Sequence, residues 1–309
     1  LPERTKISPG ADYCHFFPLR SVLVLCYNQP IMKAILIPTD FSTTARNAAL
    51  YAFQLAAQLQ VPRVILYHAY QAPVSIDPLM PTVVMPDIDT MKASSEEAMA
   101  RFKLTIHAFC KTGIRVDTLC EYNHLGNGLD ETCVKTGADL IVMGITGGNA
   151  LEEKLIGSNT VNVAKHGHVP VVMVPPDTIF TEVKEIMLAC DYDNVVSTLP
   201  ANAIKQWLDT TGARLFVLHV QQKADKNNLD MPFQSLMAET LFHTYDPIFH
   251  EAPEGDFVAA VNRFAQERRV DLIIAIPKKH GFLYELFHSS HTKQLAYHSH
   301  VPVLVMHES

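Results

Sequence analysis

A chain of 309 residues is about twice the roughly 150 residues of an average domain, which excludes a single small module and leads us to expect two cores. Hydrophobic residues make up 48% and charged residues 18%, excluding wholesale disorder and a membrane-embedded chain. Lys and Arg number 25 against 32 Asp and Glu, a net charge of -7 that repels a phosphate backbone, so nucleic acid is not an expected partner.

Residues 1–31 carry Pro2, Pro9, Pro18 and Pro30 without a nameable periodicity. They read as an irregular N-terminal extension outside the fold or as chain upstream of a native start at Met32, and no function is assigned to them. The apolar run Val22 to Cys26 is far shorter than a bilayer span or a signal-peptide core, so neither membrane nor export is expected. The six cysteines (Cys14, Cys26, Cys110, Cys120, Cys133, Cys190) form no C-x-x-C pair, as in a reduced, cytoplasmic chain.

From Met32 onward, short apolar runs alternate with helical patterns. Strands are predicted at Ala34–Pro38, Val64–Ala69, Arg115–Glu121, Leu140–Gly144 and Pro170–Val174. The first helix spans Thr43–Leu59, where Ala45, Ala48, Ala49, Ala52, Phe53, Ala56 and Leu59 recur at helical spacing behind Ser42 as N-cap. Further helices are expected at about Thr90–Lys111, Gly128–Thr136 and after Gly157. Strands this uniformly apolar need helices on both faces, so a doubly wound α/β sheet is expected.

The unit then repeats. Lys33–Phe41 aligns with Lys184–Tyr192 and Arg63–His68 with Arg214–His219 at an offset of 151, whereas Asp139–Val142 aligns with Asp271–Ile274 and His168–Val172 with His300–Leu304 at 132. The first copy therefore holds 19 extra residues (151 - 132) in its middle, expected in the proline-rich stretch Ala72–Asp87. The domains are drawn at 32–178 and 179–309.

The most informative segment is Gly144-Ile145-Thr146-Gly147-Gly148 followed by Gly157-Ser158-Asn159-Thr160. It begins at a strand's C-terminal end and closes where a helix begins, the place where open α/β sheets bind ligands. Glycines let backbone amides approach phosphate oxygens, and a helix N-terminus adds free N–H donors. Any one of these glycines is better explained by a turn; four of them with a serine in this context favour a phosphate loop. No G-x-x-x-x-G-K-[ST] occurs.

Together, Ile35 to Ser42 (ILIPTDFS), the strand end Leu66-Tyr67-His68-Ala69 and the spacing G-x2-G-x9-G-[ST] at Gly144, Gly147, Gly157 and Ser158 resemble the universal stress protein family, in its tandem two-domain form. The resemblance implies two five-stranded, Rossmann-like α/β sheets related by a pseudo-two-fold, and ATP as cofactor, with Mg or Mn as an open accompaniment. It implies that Pro38, Thr39 and Asp40 border the adenosine and that the backbone of Ala69 faces the adenine edge. Gly144 and Gly147 would line the ribose and phosphates, Gly157, Ser158 and Asn159 would supply phosphate donors, and Met143 also counts among the cofactor-binding residues. Asp40 also suits an N-cap for the first helix. Because family members commonly pair their last strand between subunits, Val169–Val174 and Val301–Met306 are expected to pair as an internal pseudo-dimer, with a homodimer of chains left open.

In the second copy Ile276, Lys279 and Ser289 replace Gly144, Gly147 and Gly157, and their side chains should block phosphate. Asp191 and His219 persist and are explained as fold residues. The late histidines His280, His288, His291, His298, His300 and His307 read as loop residues rather than a metal site, although His68 and His219 suit hydrogen bonds at strand ends. Glu152 and Glu153 read as a solvated turn that at most helps place a divalent ion. No nucleophile elbow occurs, and no catalytic residue is assigned. The expected function is an ATP-binding stress sensor or adaptor with an unidentified protein partner. Alternatives are a slow nucleotide hydrolase or adenylyl transferase, and a scaffold without nucleotide.

Overall fold

A computed structural model describes residues 32–71, 87–110, 113–123, 125–145, 160, 162–164, 167–192, 194–221, 229–277 and 300–308. The first half runs β1 (Ile35–Pro38), α1 (Thr43–Gln58), β2 (Arg63–Tyr70), α2 (Ile88–His107), β3 (Arg115–Tyr122), α3 (Leu125–Thr136), β4 (Leu140–Gly144) and β5 (Val171–Val174). The second runs β6 (Glu185–Ala189), α4 (Val195–Thr198), α5 (Ala201–Thr211), β7 (Arg214–Val220), α6 (Met231–Phe242), β8 (Ile248–Ala252), α7 (Phe257–Arg268), β9 (Leu272–Ala275) and β10 (Val303–Val305).

Each half is a five-stranded parallel block, but the two blocks form one ten-stranded sheet in the order β3-β2-β1-β4-β5-β10-β9-β6-β7-β8. Only its centre is antiparallel, where Val303, Leu304 and Val305 face Met173, Val172 and Val171. The alternation of side chains along the strands splits the core in two. Ile35, Ile37, Val172 and Leu304 join α1, α2, α5 and α6 on one face, while Leu36, Met173, Val303 and Val305 join α3 and α7 on the other. Both clusters run through both halves, so the helices cover both faces of the sheet.

Several boundaries shift for local reasons. The second helix starts at Ile88 rather than Thr90 because Asp87 caps it, accepting from Asp89 N at 3.1 Å, and it ends at His107 rather than Lys111. The third helix starts at Leu125, one turn before Gly128. The extra chain of the first copy is not all in the proline-rich connection: α2 has 20 residues and its counterpart α6 has 12. No helix among the described residues is long and apolar enough to cross a membrane.

The chain between the halves is tied to α1. Gln58 imitates a peptide group, its Nε2 donating to Val183 O and its Oε1 accepting from Val183 N, both at 2.9 Å. Asn47 Nδ2 donates to Pro175 O at 3.3 Å and Thr178 O at 3.1 Å. The Asp271 carboxylate accepts from Lys184 N and Glu185 N, each at 2.9 Å, as its repeat equivalent Asp139 accepts from Lys33 N. Gln58→Ala leaves both polar groups of Val183 unsatisfied in a part-buried place and is expected to cost about 1–3 kcal/mol of unfolding stability. A urea titration checks this; a loss below about 0.5 kcal/mol would contradict the clamp.

Candidate functional site

In the first half, β1 lies between β2 and β4, so the chain reverses its direction of sheet growth there and leaves a crevice at the strands' C-terminal ends. Of the predicted residues, Pro38 ends β1 and Thr39 and Asp40 sit on the loop leaving it. Pro38 and Thr39 are buried and Asp40 is exposed. Thr39 N donates to Tyr67 O at 2.8 Å. Phe41 then takes φ 66°, a left-handed conformation that costs a bulky residue on the order of 1 kcal/mol.

That turn is held by a small hydrogen-bonded knot. Thr39 Oγ1 accepts from Phe41 N at 3.0 Å, Asp40 Oδ1 from Ser42 N at 3.0 Å and Ser42 Oγ from Ala45 N at 3.1 Å. Ser42 is therefore the N-cap of α1, and Asp40, also considered for that role, instead closes an Asx turn. Its other oxygen takes no part in that turn bond. His68 Nδ1 lies 2.7 Å from Thr39 O; a carbonyl only accepts, so Nδ1 carries the proton. The His68 ring packs against Phe41 at 4.4 Å between centroids.

Ala69 is two residues beyond Tyr67 on β2. Tyr67 O meets β1 whereas Tyr70 O accepts from Asn123 N beside β3. By the alternation of a parallel strand, Ala69 turns its N–H and C=O toward the space past the end of β1.

Met143 is buried and Gly144 half-buried at the end of β4. A Cβ on Gly144 would come 2.7 Å from Thr44 Cγ2 and 2.8 Å from Thr44 O. The glycine is thus needed by the packing of α1 on β4, quite apart from any ligand. Gly144 O accepts from Thr160 Oγ1 at 3.0 Å, so the two ends of the glycine-rich segment meet. Thr160 and Thr44 were not among the predicted site residues; the Gly-Ser-Asn-Thr run was the one signal for Thr160. Gly147, Gly157, Ser158 and Asn159 lie outside the described residues, as do His280, His288, His291 and His298. The structure thus brings together the β1 loop, the start of α1, the end of β4 and Thr160, with Ala69 at one side.

A cleft of about 480 Å³ opens beside the C-terminal ends of β2 and β3, lined by residues that include Tyr70, Tyr122, Asn123 and Thr132; Pro38, Asp40, Met143 and Gly144 do not line it. Among the described residues no three His, Cys, Asp or Glu side chains gather as metal ligands. Burial, reinforced by Asp130 and Asp139, pushes the Cys133 thiol up to about 12. Burial also raises Cys110 and Cys120, so at neutral pH these three are thiols rather than nucleophilic thiolates.

The model of the Universal stress protein family matches residues 32–175 and again 183–307. This chain belongs to the universal stress protein family. A universal stress protein of Methanocaldococcus jannaschii is 31% identical over 146 residues, covering 47% of this chain and 82% of the relative. Among solved structures, a universal stress protein of Archaeoglobus fulgidus superposes with a TM-score of 0.65 at 20% identity, covering 89% of this chain and 96% of its own. A Pseudomonas aeruginosa protein described as functionally unknown gives 0.55 at 13% identity over 90% and 94%. These two show the fold.

The two family domains differ where it matters. The turn after β1 recurs after β6: Tyr192 has φ 51°, His219 Nδ1 lies 3.0 Å from Cys190 O, and the two rings stack at 4.6 Å. Ile276, however, stands where the first domain has Gly144. It is fully buried in one cluster with Val195 and Leu199. The helix that should pack there is broken at Leu199-Pro200 into the one-turn α4 and α5. At this position the second domain buries a side chain, whereas the first packs α1 against a bare glycine backbone. Gly144→Ala is expected to destabilise the ligand-free protein by about 1–3 kcal/mol, the cost of overpacking a tight contact. Chemical unfolding checks it, and wild-type stability would show that α1 does not rest on that glycine.

Proposed function

We propose that this universal stress protein binds ATP in its first domain and acts as a cytoplasmic sensor or adaptor, nucleotide occupancy biasing the surface offered to a protein partner. The observation that carries the reading is the convergence, in the first domain alone, of a glycine-edged β4 end, the Asp40 loop and an outward-facing backbone at Ala69. A carboxylate at Asp40 suits a ribose or amino group, and the paired N–H and C=O of Ala69 suit the hydrogen-bonding edge of adenine. Gly147, Gly157, Ser158 and Asn159 would cradle the phosphates through backbone amides and one hydroxyl. A divalent ion, Mg or Mn, would ride on the phosphates, with Glu152 and Glu153 nearby in sequence. Cys110, Cys120 and Cys133 are protonated thiols at neutral pH, so none of these three is a ready nucleophile.

Denaturing freshly purified protein and separating the released small molecules by chromatography is expected to yield adenine nucleotide. Equilibrium dialysis is expected to give close to one ATP per chain. Two per chain would overturn the assignment to the first domain, and no uptake at saturating ATP would overturn the nucleotide reading.

A further inference from the structure

One contact joins the second domain to the glycine-rich side of the first. His307, two residues past β10, places Nε2 at 3.1 Å from the carbonyl oxygen of Ala164, and because that oxygen only accepts, Nε2 is the protonated nitrogen. Ala164 belongs to a helical stretch that includes Thr160 and residues 162–164. Thr160, Val163 and Ala164 are only 4%, 2% and 0% exposed.

The need for an outside donor follows from how this helix ends. Val163 O is taken by Gly167 N at 2.9 Å, but the next amide, His168 N, is drawn away to the Asp130 carboxylate at 3.0 Å. Ala164 O is therefore one of the orphan carbonyls of a helix end, and the imidazole satisfies it. The same stretch is held at its other end by Thr160 Oγ1 on Gly144 O. His307 itself has little freedom, since Met306 N is bonded to Ala275 O at 3.1 Å and β10 is paired on both sides.

The contact is one-sided. At the repeat offset of 132, the first-domain residue matching His307 is Pro175, which has no N–H and no polar side chain. Its carbonyl is bound instead by Asn47. The second domain thus lends a donor to the first, and Pro175 can return none at the matching place.

We infer that His307 is a positioning residue through which the second domain holds the Thr160–Ala164 stretch, and with it the end of β4, in the arrangement that the first domain's ligand site requires. The part of this inference that concerns ligand rests on the ATP reading above; the part that concerns the stretch does not. The test uses the full-length, nucleotide-free protein and the variants His307→Ala, His307→Gln and Thr178→Ala. Glutamine carries an N–H at nearly the reach of Nε2. Thr178→Ala deletes a different bond to the second domain, Thr178 Oγ1 to His300 O at 3.2 Å.

Hydrogen exchange of amides in residues 160–168 is expected to quicken about fivefold in His307→Ala, the effect of one ordinary hydrogen bond, and to return to wild-type rates in His307→Gln. Thr178→Ala is expected to leave those amides unchanged. ATP affinity by calorimetry should weaken about fivefold in His307→Ala and recover in His307→Gln. Unchanged exchange in His307→Ala overturns the inference, as does quickened exchange with unaltered ATP affinity. If the wild-type protein takes up no ATP, the nucleotide reading falls separately, and the exchange result alone decides whether His307 holds the stretch.

Discussion

The antiparallel pairing of β5 with β10 is the constraint on which the remaining architecture rests. Each half by itself would end in a short, wholly apolar strand with one unpaired edge, a template for uncontrolled association. Setting Val171–Val174 against Val303–Val305 removes both edges at once and makes the two cores continuous on either face. It also fixes the linker's path along α1, where Gln58 and Asn47 hold it, and brings His307 to the end of the Ala164 helix. Antiparallel rather than parallel pairing is what relates the halves by a pseudo-two-fold, so that equivalent crevices are built at equivalent places.

Duplication then separates fold from function. Whatever the two copies share despite their divergence is needed to build the unit: the left-handed turn at Phe41 and Tyr192, the imidazoles of His68 and His219 on the carbonyls of Thr39 and Cys190, and the carboxylates of Asp139 and Asp271 on the incoming strand. What only one copy has is free to serve a ligand or a partner. Gly144 against Ile276, an unbroken α1 against the α4–α5 break, and His307 against Pro175 are the differences between the copies at equivalent places.

Much of this was legible in the sequence because strands buried on both faces are written as dense apolar runs, and because the repeat aligns them twice. Ser42 as N-cap and the histidines at strand ends were readable for the same reason: their partners lie within a few residues or at the same level of a neighbouring strand. The capping role considered for Asp40 yielded to an Asx turn, since Ser42 lies closer to the first free amides of α1. The start of α2 was hidden by prolines that mask the cap at Asp87. Contacts between residues far apart in sequence left no local trace. Gly144 read as a phosphate glycine, yet its tight neighbour is Thr44, a hundred residues earlier. The bond from His307 to Ala164 crosses the domain boundary, and nothing in either segment announces it.

On the function proposed above, one nucleotide binds per chain, at the C-terminal ends of β1 and β4, and the buried Ile276 bars it from the matching place in the second domain. A crystal structure grown with a non-hydrolysable ATP analogue tests this most directly. The account predicts ligand density beside Asp40, the Ala69 backbone and Gly144, with none between Cys190 and Ile276. Density in the second domain, or only in the cleft at the C-terminal ends of β2 and β3, would contradict it.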